Sequence, residues 1–595
     1  MSHPLTDRFK SNPRQWWLVI TSGTLTLVCG SLGLWQYEHA HSENVINPVT
    51  CALSSLYCAL QMLILHTPHF ERGTNAWLEI GRWSGAFTLV STTLIVFWKG
   101  LCHDFQLIRL TRWSGHHVVC GLGQKGMEII RSLKQKDDTA RVVVIDPNPD
   151  DSFVSECSAL DVPVLMGDAA EAGSLKKARV YSAREAIVIT PKDETNVRIA
   201  NEIRQLSTTS RGSGLECFVH LENIHLREGL QKFTNPGSSI NLGCSLNFFD
   251  VFDSEARHIL SELPLDGQGI GPNDPRTVHL VIVGFGRMGR SLALRAAKMG
   301  QFANGKRLRI SVIDGQAGLQ REHFLFRYPV LEKDNICRLT FHPADAQSLT
   351  ARRLIEGWAA EPDTLLHLLV CVGDNATALE VGLRLQAMLG SRQDCNLLIR
   401  IKQRASLAKI LEQSAQSTGP RLAVFGMVED TCCDTAFRHE FNENIARSLH
   451  EAFVEKRLAN SSRTPDSDPS LRPWAALLDD FRESNRQQAD HIGIKLRALG
   501  LEMTSAADTR EGITTFSVAD IELLAEVEHR RWNAERWLAG WRYGTPSDKP
   551  NRINENLVSW NELHDSIKQY DRETITEIPK RLAAAKMKVV RKANH

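Results

Sequence analysis

One pattern occurs twice in this chain and restricts its fold more than any other feature: an apolar strand that runs into a GxGxxG loop. Residues 116–120 (HHVVC) lead into the first loop, 121–126 (GLGQKG), and residues 278–283 (VHLVIV) lead into the second, 284–289 (GFGRMG). A helical pattern follows each loop, and a second apolar strand ending in aspartate follows each helix. This order is typical of the dinucleotide-binding βαβ unit. The sequence therefore predicts two tandem Rossmann-like domains.

Each residue of the first loop has a physical task in such a unit. Gly121 permits the tight turn, Gly123 lets a diphosphate approach the backbone, and Gly126 lets the helix pack closely on the strand. Gln124 and Lys125 open the helix, whose N-terminus presents unpaired N–H groups and the positive end of its dipole. The loop is therefore a candidate phosphate-binding site.

The acid at the end of the second strand points to the class of nucleotide. Asp146, which Pro147 follows, lies twenty residues after Gly126 at the end of the run RVVVID. A carboxylate at this position accepts hydrogen bonds from ribose hydroxyls and repels a 2′-phosphate. NAD or an adenine nucleotide such as ATP or ADP is therefore favoured over NADP as the ligand of the first domain.

Further motifs make residues 116–235 resemble a known family. A GDA element at residues 167–169 and a strand at 186–190 follow the first unit in order. With the glycine loop and Asp146, they resemble the regulator-of-potassium-conductance (RCK, or TrkA-N) domain, also found in peripheral subunits of potassium uptake systems. The resemblance implies that the GDA element lies beside the adenosine. We therefore add to the predicted site Gly167, Asp168, Ala169 and Asp193.

The second unit departs from the first in two ways. The segment from its last glycine to its aspartate is longer, and residues 343–346 (PADA) stand where the first unit has GDA. We expect an intact fold here, and the sequence leaves nucleotide binding by this unit open. The candidate residues are Gly284, Gly286, Gly289, Asp314 and Asp345.

The first hundred residues have the composition of a membrane region. Residues 16–35 contain no charge and are long enough to cross a bilayer. A second uncharged run covers 83–98, and Lys99 caps it before Gly100 and Leu101. Basic residues precede the first run and follow the second, so both ends are predicted to be cytoplasmic, which requires an even number of crossings. The apolar stretch between them, 49–65, is then better interpreted as re-entrant or interfacial.

This layout resembles the pore of a simple potassium channel in arrangement but not in motif. Residues 66–72 (HTPHFER) stand where such a channel has its filter, and no glycine occurs until Gly73. Glycine makes it easy to align backbone carbonyls toward an ion. A cation pore and an anchor without conductance therefore both remain open.

Near the C-terminus, aromatic and charged residues form a third motif. Residues 528–544 (EHRRWNAERWLAGWRYG), together with 570–574, resemble the repeat domain of ryanodine receptors (RyR), which also occurs in bacterial proteins. Aromatic rings and arginine suit stacking on a base and pairing with a phosphate. The alternative is that the tryptophans form the core of a small domain. The candidate ligand pocket consists of Trp532, Trp541, Arg542 and Tyr543.

Composition narrows the functional classes. A formal net charge of +1 gives no reason to expect nucleic acid as a partner. The 13 cysteines are scattered without a CxxC pair, so no metal site is predicted. Each Rossmann-like unit is followed by another regulatory unit and not by a substrate domain, so we expect no enzyme.

The predicted chain is thus an α/β protein of several parts. They are a pore-like region of two transmembrane helices with a re-entrant helix at 1–105, RCK domains at 106–270 and 271–458, a linker at 459–475 and a mainly helical RyR-type domain at 476–595. We expect a multi-pass protein of the bacterial inner membrane with both termini cytoplasmic. Its expected partners are lipid, ions, a small nucleotide and further copies of itself, with a tetramer the favoured form.

The predicted function is a cation conductance, potassium being one candidate ion, controlled by ligands of the RCK and RyR domains. Two alternatives stand beside it. One is a non-conducting, membrane-tethered nucleotide sensor. The other is a stress or antiviral effector that depolarises the membrane when it senses a nucleotide messenger.

Overall fold

The structure, a computed structural model, divides into two compact units, Met1–Arg112 and Trp113–His595. It describes residues 13–41, 47–66, 74–208, 214–223, 226, 229–230, 244–333, 335–390, 392, 395–401, 421–426, 440–460, 464–465, 468–477, 479–549 and 551–592. Most of the segment at 66–72 that replaces a channel filter lies outside these residues.

Three helices make up the described part of the first unit: α1 (Pro13–His41), α2 (Pro48–Met62) and α3 (Ala76–Leu110). Helix α2 begins at Pro48 because the side chain of Asn47 accepts a hydrogen bond from the Val49 N–H at 3.0 Å. Among the described residues, one stretch, Trp17–Ala40, is long and apolar enough to cross a membrane. The second crossing and the re-entrant role of α2 stay predictions.

Glycines bring α1 and α3 into close contact. A Cβ atom on Gly33 would overlap the backbone of Leu78, and one on Gly81 would lie 2.7 Å from the Cα of Gly30. Backbones can approach this closely only where side chains are absent, which is a common packing mode of helices in membranes. The spacing of these glycines therefore fixes how the two helices cross.

Hydroxyl groups add hydrogen bonds to the same contact. Ser22 and Thr88 are joined by a 2.7 Å hydrogen bond between hydroxyls, and Thr26 and Ser84 by one of 2.9 Å. These four hydroxyl groups thus face the contact between the two helices. The outer surface carries exposed large apolar side chains, among them Trp17, Leu18, Ile20, Val28, Trp83, Phe87, Val90 and Leu94.

The second unit begins with a sheet of six parallel strands in the order β3-β2-β1-β4-β5-β6. The strands are β1 (His117–Cys120), β2 (Val142–Asp146), β3 (Val164–Met166), β4 (Glu185–Val188), β5 (Leu215–His220) and β6 (Cys244–Phe249). The helices of this part are α4 (Gln124–Lys136), α5 (Asp151–Ala159), α6 (Ala172–Lys177) and α7 (Asp193–Thr208). This order reverses direction between β1 and β4, where doubly wound folds bind ligands.

A second parallel sheet repeats that order as β9-β8-β7-β10-β11-β12. Its strands are β7 (Thr277–Val283), β8 (Arg309–Asp314), β9 (Arg338–Pro343), β10 (Thr364–Val370), β11 (Cys395–Arg400) and β12 (Arg421–Phe425). Helix α8 (Val251–Glu262) precedes it, and its own helices are α9 (Arg287–Met299), α10 (Ala317–Arg327), α11 (Leu349–Ala360) and α12 (Asn375–Leu389). The prediction of two tandem Rossmann-like folds is confirmed.

The C-terminal region is mainly helical. It contains α13 (Glu440–Asn460), α14 (Asp479–Asp490), α15 (Ile492–Ala498), α16 (Val518–Leu538), α17 (Asp565–Thr576) and α18 (Ile578–Ala584). Strands β13 (Leu501–Ser505) and β16 (Met587–Arg591) pair antiparallel, and the short strands β14 (Arg542–Tyr543) and β15 (Ile553–Asn554) pair in parallel. Helix α16 ends just before Gly540, whose φ of +80° is a conformation that favours glycine.

The C-terminal helices share a core with the second sheet. Ile494, Ala534 and Leu538 are buried in one apolar cluster with strand residues such as Leu280. At the edge of this contact Arg497 donates two hydrogen bonds of 2.8 Å to the carboxylate of the buried Asp266. The second Rossmann domain and the C-terminal region are therefore packed as one body.

Buried histidines in the second sheet make its stability sensitive to acid. Burial lowers the pKa of His279 to about 3 and that of His367 to about 4. An unfolded histidine titrates near 6.5, so between pH 6.5 and these values the unfolded chain binds more protons. The free energy of unfolding therefore falls as the pH drops through this window.

We expect each histidine to lower the free energy of unfolding by about 2 kcal/mol between pH 7 and pH 5. Urea titrations of the purified chain at the two pH values measure the loss. His279→Asn removes one titrating group and should make the loss smaller. Equal stability at pH 7 and pH 5 would contradict the assignment.

Candidate nucleotide-binding site

The first glycine loop joins β1 to α4 with the geometry that a dinucleotide site requires. Gly121 has a φ of +111°, and a Cβ on it would lie 2.9 Å from the carbonyl oxygen of Ile189. A Cβ on Gly126 would overlap the carbonyl oxygen of Gly121, so both positions require glycine. A Cβ on Gly123 would meet nothing within 4 Å. The loop is tight at its two ends and open in the middle, where a diphosphate would approach.

Asp146 ends β2 beside this loop and fixes its shape. One carboxylate oxygen accepts a hydrogen bond from the Leu122 N–H at 2.7 Å, and the other accepts one from the Asn148 N–H at 2.8 Å. The side chain is half-buried, and the following Pro147 is exposed. The predicted ribose acceptor therefore lies directly against the predicted phosphate loop.

The GDA element lies next to the end of β2, and its expected place beside an adenosine stays a prediction. The Gly167 N–H donates to the carbonyl oxygen of Asp146 at 3.1 Å. Asp168 accepts a hydrogen bond from the Ala170 N–H at 2.8 Å, and Ala169 is buried. The structure thus brings the glycine loop, Asp146 and the GDA element to one edge of the sheet.

Asp193, the first residue of α7, is hydrogen-bonded to another segment of the chain, and its contact with a nucleotide stays a prediction. Its carboxylate accepts hydrogen bonds from the backbone N–H groups of Glu222 at 3.1 Å and Asn223 at 2.7 Å. It therefore holds the segment that follows β5. The buried Asn196 assists, because its amide donates to the carbonyl oxygen of His220 at 2.9 Å.

Gln124 and Lys125 form the first turn of α4, as predicted. The Nζ of Lys125 lies 3.4 Å from the carboxylate of Glu222 and 5.3 Å from the ring centre of Phe252. Sequence reasoning did not single out Glu222. The only signal in the sequence is an acid directly after a strand of the sheet, in the run FVHLE.

The second glycine loop repeats the geometry of the first. Gly284 has a φ of +92°, a Cβ on Gly289 would overlap the Gly284 carbonyl oxygen, and Gly286 is open. Asp314 accepts hydrogen bonds from the N–H of Phe285 at 2.7 Å and of residue 316 at 2.8 Å, the same pattern as Asp146. The longer segment between Gly289 and Asp314 therefore does not change the geometry of the glycine loop relative to the first unit.

The PADA element also takes the position of GDA. The Ala344 N–H donates to the carbonyl oxygen of Asp314 at 3.3 Å, and Asp345 accepts from the Gln347 N–H at 2.8 Å. The two loops differ in the apolar residue after their first glycine. In the second loop it is Phe285, which is fully buried and makes edge-on ring contacts with Phe324 and with residue 341. Both copies thus place the same set of backbone and carboxylate groups at the edge of a sheet.

In the C-terminal region the four predicted pocket residues take three different positions. The guanidinium of Arg536 lies over the rings of Trp532 at 5.8 Å and Trp541 at 5.2 Å, so these tryptophans belong to a packed stack. Tyr543 is 60% exposed and lines a cavity of about 910 Å³, whereas Arg542 is exposed and is not among its lining residues. The other lining residues include Trp537, Glu555, Asn556, Ser559, Glu562 and His564.

Comparisons with known proteins identify both regions. The TrkA-N domain family matches residues 117–213, and the RyR domain family matches residues 514–591. The chain carries a TrkA-N domain and a RyR domain. The TrkA-N domain contains the first glycine loop, Asp146 and the GDA element. The RyR domain contains the aromatic stack and the cavity.

Individual relatives match over limited lengths or at low identity. An uncharacterized protein of Methanocaldococcus jannaschii is 34% identical over 95 residues, which is 16% of this chain and 18% of that protein's length. The chain thus spans about 18% of the curated relative it matches.

Three solved structures show limited similarity to this chain. GsuK bound to ADP has 16% identity and a TM-score of 0.35, over 70% of this chain and 96% of that one. The GsuK channel bound to NAD has 14% identity and a TM-score of 0.35, over 72% and 86%. The human SLO3 gating ring has 14% identity and a TM-score of 0.37, over 55% and 83%.

Proposed function

We propose that this chain is a membrane-anchored regulatory protein of the potassium-channel type, in which a nucleotide bound to the TrkA-N domain controls a cation conductance. The observation that carries the proposal is the first glycine loop, which is closed by Gly121 and Gly126, open at Gly123 and fixed by Asp146. These groups offer backbone N–H donors to a diphosphate and a carboxylate to a ribose.

The proposed ligand is NAD or an adenine nucleotide. The carboxylate of Asp146 favours a free ribose hydroxyl and disfavours a 2′-phosphate. GsuK structures bound to ADP and to NAD provide a precedent for this ligand class among similar proteins. The second glycine loop, with its equivalent Asp314, is a second candidate site for the same class of ligand.

The proposed location is the bacterial plasma membrane, with two crossings, α2 as a re-entrant or interfacial helix and both termini in the cytoplasm. Support comes from the apolar stretch Trp17–Ala40 and from the exposed apolar side chains of α1 and α3. Further support comes from hydroxyls that bond to one another inside the helix pair, which is how polar groups are satisfied in lipid.

The proposed mechanism is a population shift in an oligomer, with a tetramer as the favoured form. Nucleotide at the first loop changes the arrangement of the cytoplasmic domains, and residues 106–114 transmit the change to the membrane helices. This works only if the nucleotide binds the two arrangements with different affinity. The ligand of the RyR domain would act on the same equilibrium.

Ion flux from proteoliposomes that contain the purified chain tests the function. NAD, NADH, ATP, ADP and cyclic nucleotides are added in turn, with potassium and then sodium as the permeant ion. Flux that depends on a nucleotide supports the proposal. Nucleotide binding without flux would favour a tethered sensor, which is the alternative favoured by the lack of glycine at residues 66–72.

Replacement of Asp146 tests the binding site itself. Asp146→Ala removes the ribose acceptor and the acceptor for the Leu122 N–H, so we expect ADP and NAD to bind about 10- to 100-fold more weakly. Calorimetric titration measures the affinity. Asp314→Ala, the matched change in the second domain, should leave binding at the first loop intact. Unchanged affinity in Asp146→Ala would remove this residue from the site.

A further inference from the structure

The carboxylate of Glu222 lies between the two glycine loops. One of its oxygens is 3.4 Å from the Nζ of Lys125, in the first turn of α4, and the other pairs with the guanidinium of Arg287, the first residue of α9. Lys125 belongs to the first loop and Arg287 to the second. Each Rossmann domain therefore contributes one cation to the same acid.

The chain fixes the backbone that carries this acid. The carboxylate of Asp193 accepts hydrogen bonds from the backbone N–H groups of Glu222 and Asn223. The side-chain amide of Asn196 donates one to the carbonyl oxygen of His220. All these bonds come from the start of α7, which packs on the sheet of the first domain. Glu222 is thus held at the edge of the sheet that carries the first glycine loop.

The degree of burial determines how strongly these charges interact. The side chain of Glu222 is 18% exposed, that of Lys125 is 32% exposed and that of Arg287 is 59% exposed. Water and salt screen a partly buried carboxylate less than one on an open surface. A diphosphate at Gly123 would bring negative charge to the first turn of α4, where Glu222 already faces Lys125. The phosphates and Glu222 would then compete for the same cation and repel each other.

We propose that Glu222 links the first glycine loop to the second Rossmann domain. Its charge weakens nucleotide binding at the first loop, and the ion pair with Arg287 determines by how much. When Arg287 holds the carboxylate, less of its charge acts on Lys125 and on the phosphates. When Arg287 is replaced, the full charge of the carboxylate acts on Lys125 and on the phosphates. The inference rests on the proposed function, because it requires a nucleotide at the first loop.

Calorimetric titration of the full-length, detergent-solubilised chain with ADP tests the link. Glu222→Gln keeps the shape of the side chain and removes its charge, so ADP should bind about two- to fivefold more tightly at the first loop. Arg287→Gln should weaken binding at the first loop by a similar factor, although Arg287 lies in the other domain. In the double variant Glu222→Gln/Arg287→Gln the affinity should equal that of Glu222→Gln alone.

Three controls make the result specific. Binding that Gly123→Val abolishes is assigned to the first loop. Arg352→Gln, at an arginine of the second domain that is 64% exposed and pairs with Glu356, should leave the affinity unchanged. Thermal unfolding verifies that each variant is folded, and Arg287→Gln tests the link independently if Glu222→Gln does not fold.

Two outcomes overturn the inference. One is an unchanged or weaker affinity in folded Glu222→Gln. The other is that Arg287→Gln fails to weaken ADP binding in the wild-type background, or still weakens it in the Glu222→Gln background. Absence of ADP and NAD binding to the wild-type chain is a different result, because it refutes the proposed function itself.

Discussion

Gly123→Val should abolish nucleotide binding at the first loop while leaving the fold intact. Gly123 has φ −94° and ψ −171°, an extended conformation that valine adopts, and a Cβ there would meet nothing within 4 Å. The branched side chain would instead fill the space through which a diphosphate reaches the backbone N–H groups. We expect the affinity for ADP and NAD to fall by at least roughly 100-fold, since the phosphates lose these donors.

The glycines of this chain provide matched controls for that change. Gly126→Ala should lower both binding and stability, because its Cβ would overlap the Gly121 carbonyl oxygen. Gly173→Ala, at an equally open position on α6, should leave binding unchanged and should not lower stability, because alanine favours a helix more than glycine does. Gly286→Val repeats the test at the second loop. Calorimetry for binding and thermal unfolding for stability separate the cases, and nucleotide binding that persists in Gly123→Val would exclude this loop as the site.

Much of the nucleotide-binding region could be predicted because its signals are local. A GxGxxG loop, the strand before it and the acid about twenty residues later are all parts of one βαβ unit, so their order in sequence is their order in space. The structure confirms the tight turn at Gly121, and the acid at the end of β2 is bonded to the loop. The second unit was predicted on the same basis, although its segment between loop and acid is longer.

Contacts between distant segments could not be predicted in the same way. Glu222 is 97 residues from Lys125 in sequence, and no periodicity indicates that the two meet. Asp193 was placed at the ligand through the family resemblance, and nothing in the sequence indicated that its carboxylate accepts hydrogen bonds from backbone groups of the segment after β5. The pairing of a side chain across a fold depends on packing that one sequence does not reveal.

The aromatic residues of the RyR domain also have contacts that their order in the sequence does not predict. The sequence predicted a ligand pocket of Trp532, Trp541, Arg542 and Tyr543, because aromatic rings and arginine suit a base and a phosphate, with a tryptophan core as the alternative. In the structure Arg536 lies over the two tryptophans, while Tyr543 faces the cavity beyond the end of α16. Gly540, with its positive φ, turns the chain after α16, so Trp541 and Tyr543 both lie beyond the helix that carries Trp532.

The contact of the C-terminal region with the second Rossmann domain contains a buried arginine as well as apolar side chains. Arg295 of α9 has no exposed surface, and its guanidinium lies 3.2 Å from Asp253 of α8 and 3.4 Å from Asp490 of α14. The carboxylate of Asp490 is also fully buried, and Arg257 pairs with it at 2.8 Å. Glu483 of α14 completes the group at 3.5 Å from Arg295. Opposite charges from three helices therefore meet around Arg295 and Asp490, whose side chains have no exposed surface.

Arg295→Leu should destabilise this contact by about 3–5 kcal/mol, because it leaves the buried carboxylate of Asp490 with one cation instead of two. Urea unfolding followed by tryptophan fluorescence measures the change. Arg352→Leu, at an exposed ion pair with Glu356, should cost less than about 1 kcal/mol. The double variant Arg295→Leu/Asp490→Leu removes both charges and should recover part of the loss.

The result also bears on how a ligand of the RyR domain would act. The contact that Arg295 anchors joins α9, which begins at the second glycine loop, to α14 of the C-terminal region. If it is as strong as its burial indicates, the cavity of the RyR domain and the second Rossmann domain move as one body. Limited proteolysis should then cut Arg295→Leu between the two regions while the wild-type chain stays intact. Equal resistance in both chains, together with an unfolding cost no larger than that of Arg352→Leu, would assign the contact to the apolar core around Ile494 and Leu538 instead.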